Sequence, residues 1–406
     1  MVKVKDKYVW SDDVNKAPLI ESHSRIKHGI IKDYIRSYLK VVGSPPARKV
    51  KLIIVDGFCG GGLYRTDKGT PHLGSPIIAL NMIRETVAEI VGQRLQNNIL
   101  HEFSVECELY FIDKDKQAIE TLQKVAAFHL ILDGSLPLTL KANFICAEFS
   151  NVYKDILNKV GKAKTIFILD PCGYSETPLP VIREIMHDPQ KKREVIWTFM
   201  IDAMRTFAHE DSQALKNAGY DSLLSLFSGD EPPSGFSVQK EIFDTVKRDI
   251  NVPFFTPFAI KQKNGWNYWL IHLAWHYRAS EVMKEVEHLH ADEREHYGRS
   301  GLNMMAAQGD RIYLFGQDDL ERGKIELQED IPQLLSRADF KEGLSFNNFM
   351  EATYNETPLV SGIIKDVLIN HEDIEVFTSA GGRRSSVKRI ETSDIIRLKK
   401  QHRLLF

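Results

Sequence analysis

Residues 51–62 read Lys51-Leu52-Ile53-Ile54-Val55-Asp56-Gly57-Phe58-Cys59-Gly60-Gly61-Gly62. An apolar run ends in an acid, and the chain then breaks into a glycine-rich turn. A buried parallel strand reads this way, with its C-terminal end delivered to a nucleotide-like ligand. The spelling Asp-x-Phe-x-Gly-x-Gly, across Asp56, Phe58, Gly60 and Gly62, differs from the dinucleotide form Gly-x-Gly-x-x-Gly. A tight strand-to-loop turn without any ligand is the alternative reading of the same residues.

Upstream, Ile26, Ile30, Tyr34 and Tyr38 recur at helical spacing, and Ile31, Ile35 and Leu39 widen the stripe. A helix is therefore expected over 24–40, ended by Gly43-Ser44-Pro45-Pro46. Downstream, a polar insertion at 64–73 precedes Gly74-Ser75-Pro76, which opens a second helix with Ser75 as N-cap and Pro76 in the first turn. Further strands are expected at 108–113, ending in Asp113, and at 142–146, delivering Glu148-Phe149. Others fall at 165–170, running into Pro171-Cys172-Gly173-Tyr174, and at 195–200. Strands alternating with helices, each ending in an acid or a turn, predict an α/β doubly wound sheet. Residues 254–261 and 267–273 flank the polar turn Gln262-Lys263-Asn264-Gly265-Trp266 and predict a late antiparallel hairpin.

The charged stretch 279–298 reads as a solvated helix. His288 and His290 do not fall on one helical face, so no metal site is assigned there. From about Leu344 a smaller unit begins. Two short helices lead to a strand at 374–378, a turn at Ser379-Ala380-Gly381-Gly382, and a basic partner strand over 383–390. That order suggests a winged helix whose hairpin concentrates Arg383, Arg384, Lys388 and Arg389 for contact with nucleic acid phosphates. Protein docking is the other use of such a module. The expected division is 1–335 and 336–406.

With 43% hydrophobic and 27% charged residues, the 406-residue chain has the composition of an ordinary water-soluble globular protein. A net charge of −2 gives no global sign of a polyanion partner, so any basic surface is local. No apolar signal core opens the sequence, and no apolar run approaches the roughly 18 residues of a membrane span. Cys59, Cys107, Cys146 and Cys172 are scattered without metal or disulfide spacing. A cytoplasmic location is expected.

The glycine motif resembles the first motif of methyltransferases that use S-adenosylmethionine (SAM), especially those acting on nucleic acid bases. This resemblance implies a Rossmann-like sheet with one antiparallel strand near its edge. It places Asp56 near the cofactor's methionine amino group, with Gly57, Phe58, Gly60 and Gly62 along its path, and Asp113 at the ribose hydroxyls. It also implies Glu148 and Phe149 around the adenine, and Lys27 at the cofactor's carboxylate. The plainer alternatives are a helix N-cap for Asp113, an exposed acid beside a core ring for Glu148-Phe149, and a solvated lysine for Lys27.

Asp170-Pro171-Cys172-Gly173 stands where amino methyltransferases carry Asp-Pro-Pro-Tyr. There the Asp side chain and the Pro carbonyl accept hydrogen bonds from the target amine, and an aromatic ring stacks on the flipped base. Here the ring's slot is Gly173, and Tyr174 follows one residue late. Cys172 is also similar to the Pro-Cys nucleophile of cytosine carbon-5 enzymes, but their Glu-Asn-Val and Gln-x-Arg-x-Arg partners are missing.

Over nearly its full length the chain resembles the three-Cys-motif partner family (TcmP) of prokaryotic and phage-associated proteins. The resemblance rests on Lys27-His28 with Ile31 and Tyr34, on Val55 to Gly60, and on Gly74-Ser75-Pro76. Phe111-Ile112-Asp113, Asp170 to Gly173, Tyr268-Trp269-Leu270-Ile271 and the tail complete it. It implies association with a radical-SAM-like protein, and the three cysteines belong to that partner. Methyl transfer from SAM to a nucleic acid base or similar amine is the expected function. The alternative is a non-catalytic subunit of the same fold that binds nucleic acid or a partner protein.

Overall fold

The computed structural model describes residues 8–46, 48–131, 134–201, 212–227, 233–260, 268–307, 312–340 and 342–399. Helix α1 (Ser22–Gly43) turns Ile30, Ile31, Tyr34, Ile35, Tyr38 and Leu39 inward, as the periodicity predicts. It is followed by β1 (Arg48–Asp56), the short hairpin of β2 (Leu63–Arg65) and β3 (Pro71–Leu73), and α2 (Ser75–Gln96). Alternation continues through β4 (Phe103–Asp113), α3 (Lys116–His129), β5 (Leu138–Cys146) and α4 (Phe149–Val160). Then come β6 (Lys164–Leu169), α5 (Leu179–Met186) and β7 (Arg193–Met200). Helices α6 (Ser212–Asn217) and α7 (Gly235–Asp249) lead into β8 (Phe254–Ile260) and β9 (Tyr268–Ala274), and α8 (Tyr277–Leu289) and β10 (Arg294–Glu295) follow.

The main sheet has eight strands in the order β10-β8-β9-β7-β6-β1-β4-β5. Strands β5, β4, β1, β6 and β7 are mutually parallel, and β9 runs antiparallel between β7 and β8. This is the mostly parallel layout with a late hairpin expected of a Rossmann-like methyltransferase sheet. The turn at 262–266 lies outside the described residues. Helices α1, α2, α3 and α8 cover one face, and α4, α5 and α7 the other. A strand buried from both sides needs continuous apolar residues, and Leu52, Ile53, Ile54 and Val55 of β1 are all buried. Strand order reverses at β1, so the crevice beyond the C-terminal ends of β1 and β6 is the sheet's switch point.

Three local readings change. Gly74, not Ser75, is the N-cap of α2, because the Ser75 hydroxyl turns to Asp56 (2.6 Å). Helix α8 is not solvated: Glu281, Lys284 and Glu287 are buried. The charges of Lys284 and Glu281 are absorbed locally. The Lys284 ammonium donates to the carbonyls of Tyr354 and Thr357, and Glu281 accepts from Tyr277 (2.7 Å) and Ser361.

The third change concerns the tail, built from α9 (Gln317–Leu335), β11 (Leu344–Ser345), α10 (Phe346–Thr353), α11 (Ser361–Asn370), β12 (Ile374–Phe377) and β13 (Ile395–Leu398). Its antiparallel sheet has the order β11-β13-β12. The strand returning beside β12 is β13 and not 383–390, where a 3-10 turn forms at Val387–Arg389. Ile396 of β13 is fully buried, whereas the basic stretch meets β12 only at a single Phe377–Arg383 bridge and contributes the partly buried Ile390 to that core.

The tail's core is continuous with the main sheet: Phe254, Ala274 and Ala279 pack with Phe346, Phe349 and Leu359. Asn355 acts as an extra rung on β8, accepting from the Phe255 N–H (3.0 Å) and donating to the Pro253 carbonyl (2.8 Å). Among the described residues, no helix is long and apolar enough to cross a membrane. Asn355→Ala strips a buried N–H and a carbonyl of their partners and is expected to cost about 1–3 kcal/mol in urea unfolding. Because the core is shared, one transition shifts as a whole; two separated transitions would contradict this packing.

Candidate functional site

The loop after β1 is pinned from both sides. Gly57 N–H donates to the Ile168 carbonyl of β6 (2.9 Å), and Cys59 N–H to the Ile112 carbonyl of β4 (3.0 Å). Gly60 N–H donates to the Asp113 carboxylate (2.9 Å). Gly60 and Gly62 take φ of +59° and +76°, which glycine adopts without strain. A Cβ on Gly60 or Gly61 would meet the Trp10 indole at 2.7 or 2.5 Å, and one on Gly57 would meet Leu169 and Phe149 at 2.8 and 2.9 Å. The glycines are thus required by the protein's own packing, whatever ligand the loop takes. Trp10, which no motif marks, is held by Gln117 donating to its carbonyl (3.0 Å) and by the Tyr64 ring edge-on at 5.3 Å.

Three carboxyl groups converge on the switch point. Asp56 is buried at the end of β1, and burial lifts its pKa to about 7 although the Ser75 hydroxyl and Phe58 N–H favour the ionised form. Asp113 ends β4. Burial raises its pKa too, against the N–H groups of Gly60 and Asp115 that its two oxygens accept. The N-cap of α3 is Asp115, so Asp113 is not needed for capping.

Asp170 follows β6 and receives the Lys27 ammonium at 2.6 Å on each oxygen. Burial opposes its charge, but Lys27 and the Thr198 hydroxyl outweigh burial and hold the carboxyl below its usual value. Lys27 itself is nearly fully buried, with 5% of its side chain exposed against 31% for Asp170. It is neither a solvated lysine nor unengaged. Beside it His28 is pushed down to about 3, first by burial and then by His72 and Lys27, so it is neutral; its Nδ1 lies 3.1 Å from His72 Nε2.

The remaining expected residues are distributed less evenly. Phe58 is half-buried, with its ring 5.9 Å from that of Phe149. Phe149 lies in the core, while Glu148 is exposed at the start of α4. Pro171 is buried. Tyr174 opens a 3-10 turn, Tyr174–Glu176, and its side chain lies outside the described residues. Cys172 is on the surface, its thiol pushed up by burial of the sulfur and by Glu176, which disfavours a thiolate nucleophile. Its N–H donates to Glu176 (2.9 Å), which also pairs with Lys114, tying the loops after β6 and β4 together. In the tail, Arg383, Lys388 and Arg389 are exposed. Arg384 is not: it forks onto the buried Asp394 at 2.8 and 3.0 Å. Ser75, Thr198, Trp10 and Tyr268 join the site without any spacing signal in the sequence.

No known protein-family model matches this chain, and no curated protein matches it. Among solved structures it is similar to Trm1 from Pyrococcus horikoshii, solved in complex with S-adenosyl-L-methionine (TM-score 0.34, 11% identity, 97% of this chain and 96% of that one). It is also similar to protein LPL1258 from Legionella pneumophila (TM-score 0.35, 10% identity, 64% of this chain and 91% of that one). Both likenesses are too loose to carry weight, and the sheet type rests on strand order and direction.

Asp56 generates a pH prediction. With its folded pKa lifted from 3.8 to about 7, the native state holds more protons than the unfolded chain between these values. Its contribution to stability therefore falls as pH rises from about 4 to about 7 and is flat above. Asp56→Asn removes this penalty, which is on the order of 4 kcal/mol. The variant is expected to melt higher than the parent at pH 8 and to lose the advantage at pH 4. An equal or lower melting temperature at pH 8 would show that Asp56 is not burdened by burial.

Proposed function

We propose that this chain is a SAM-dependent methyltransferase acting in the cytoplasm on a nucleic acid base or similar amine, beside a radical-SAM-like partner with three cysteines. One observation carries the reading: an amine, the Lys27 Nζ, already lies 2.6 Å from both oxygens of Asp170. That is the relation an acceptor amine would take to an orienting carboxylate. The partner is supported only by the sequence resemblance.

The residues at the switch point fit the cofactor chemically. SAM carries an ammonium, a sulfonium, a carboxylate and a ribose diol. Asp56 answers the ammonium and Asp113 the diol, while Lys27 answers the carboxylate. Bound there, the cofactor supplies an electrophilic methyl group. Asp170 and the Pro171 carbonyl accept the acceptor amine's N–H bonds and turn its lone pair toward that methyl. The part of Asp170 is orientation rather than early proton removal. Lys27 serves the cofactor's carboxylate when the site is charged and Asp170 when it is not.

The rival reading, a non-catalytic subunit, is favoured by Gly173 in the slot of a stacking ring and by Asp113, whose two oxygens already accept backbone N–H groups. Titration calorimetry separates the two. Micromolar SAM binding is expected, weakened tenfold or more in Asp56→Ala and Asp113→Ala. Asp170→Asn is expected to keep SAM binding while losing methyl transfer to DNA or tRNA from labelled SAM. Absence of binding at high micromolar SAM would leave only the rival.

The tail is read as a winged helix on its order of helix, strand, two helices and two strands, with β13 between β11 and β12. Arg383, Lys388 and Arg389 then supply phosphate contacts, and Arg384 is a strut. Glu at those three positions should weaken tRNA or duplex binding and flatten its salt dependence. Arg384→Ala should instead lower the melting temperature, because Asp394 is left buried and unpaired, while Arg383→Ala should not. Unchanged nucleic acid binding in the triple variant would turn the wing into a protein-docking surface.

A further inference from the structure

We infer that Tyr268 is the ring that stacks on the methyl acceptor, and that the acceptor is a planar aromatic amine of the nucleobase type; this rests on Asp170 as the orienting group. Tyr268 opens β9 and pairs with Met200 at the C-terminal end of β7. It therefore stands at the same edge of the sheet as Asp170, with only β7 between its strand and β6. Its ring centroid is 5.5 Å from the Lys27 Nζ, the cation bound to Asp170. One ammonium thus links the carboxylate and the ring.

The ring is also backed. His23 stacks on it with centroids 4.1 Å apart and planes 14° from parallel, and His23 Nδ1 is 3.3 Å from Glu21. A face clamped in that way leaves a flat, half-buried platform that does not have to be ordered on binding. Two other rings near the strand ends are committed elsewhere. Phe149 is in the core, and Trp10 lies on Gly60 and Gly61 with Tyr64 against it.

The motif's own slot for a ring carries no side chain here. A Cβ on Gly173 would meet nothing within 4 Å. In this proposal the ring that the Asp-Pro-x-Gly segment lacks is supplied from β9.

The test uses the full chain with 2-aminopurine riboside, a nucleoside with an exocyclic amine whose fluorescence is quenched by stacking, with and without S-adenosylhomocysteine. Binding with quenching is expected in the parent. Tyr268→Ala should weaken it about tenfold and abolish quenching, whereas Tyr268→Phe should retain both, since one base–aromatic stack has roughly that effect. Thermal melts guard against misfolding, and the Phe variant keeps the test decisive if the Ala variant unfolds.

Parental behaviour in Tyr268→Ala overturns the inference, as does equal loss in Tyr268→Phe, which would credit the hydroxyl. No nucleoside binding at millimolar concentration, or tighter binding of Nα-acetyl-lysinamide at the same site, overturns the planar acceptor. Asp170→Asn separates the two layers. Loss there with parental Tyr268→Ala keeps Asp170 as the orienting group and sinks the stack; the reverse keeps the platform and sinks Asp170.

Discussion

The ion pair between Lys27 and Asp170 fixes where everything else at the strand ends can stand. Withdrawing an ammonium and a carboxylate from water is costly, and only close, doubly bonded geometry offsets it. The pair joins residues 143 positions apart and so locks α1 across the sheet's switch point. A second anchor lies two turns along the same helical face. Tyr34 donates to the buried Glu194, and its oxygen lies 3.0 Å from His272 Nε2. With α1 held at two heights, Lys27 cannot drift along the crevice. It can only exchange one anion for another.

That exchange matters because the crevice is electrically unbalanced. Asp56, Asp113 and Asp170 feel one another's charge, and Lys27 is the buried cation set among them. Burial first, and then the charges of Asp170 and Asp113, lift the pKa of Asp56 to about 7. A ligand with more positive than negative charge completes the balance, and its ammonium would let Asp56 ionise. Cofactor affinity and the protonation of Asp56 are therefore coupled in the proposed reading. The neutralised product of methyl transfer, with the sulfonium charge gone, fits the same acids less well. This bias favours product release without any conformational device.

The sheet was legible in the sequence because strands buried on both faces leave runs such as Leu52 to Val55, and because the acids cluster at strand ends. Those signals are local. What stayed hidden depends on contacts between distant segments. Nothing in Gly74-Ser75-Pro76 tells that Ser75 would leave its capping role for Asp56, 19 residues away. The charges of α8 look like a solvated face until Lys284 is seen capping the carbonyls of the tail. The basic stretch 383–390 has strand-like neighbours, but core filling chose Ile396 instead. Phe149 follows an acid at a strand end, yet the bare Gly57 beside it draws its ring inward.

The C-terminal unit imposes a last constraint on how a nucleic acid could be used. In a winged helix the groove-reading element would be α11. Of its ten residues, only Gly362 and Asn370 are exposed. Lys365 faces Glu281 and the rings of Tyr277 and Phe346, and Asp366 pairs with Lys324 at 2.8 Å. A helix so occupied presents little to base edges. On the proposed reading the exposed cations of the tail hold phosphates, but phosphate contacts carry no sequence information. Selectivity, in that reading, falls to the strand ends, to the proposed ring platform and one carboxylate. The tail shares a core with the sheet that carries that carboxylate. A nucleic acid acceptor bound as proposed would therefore have to present backbone to the tail and base to the strand ends together, which selects for shape before sequence.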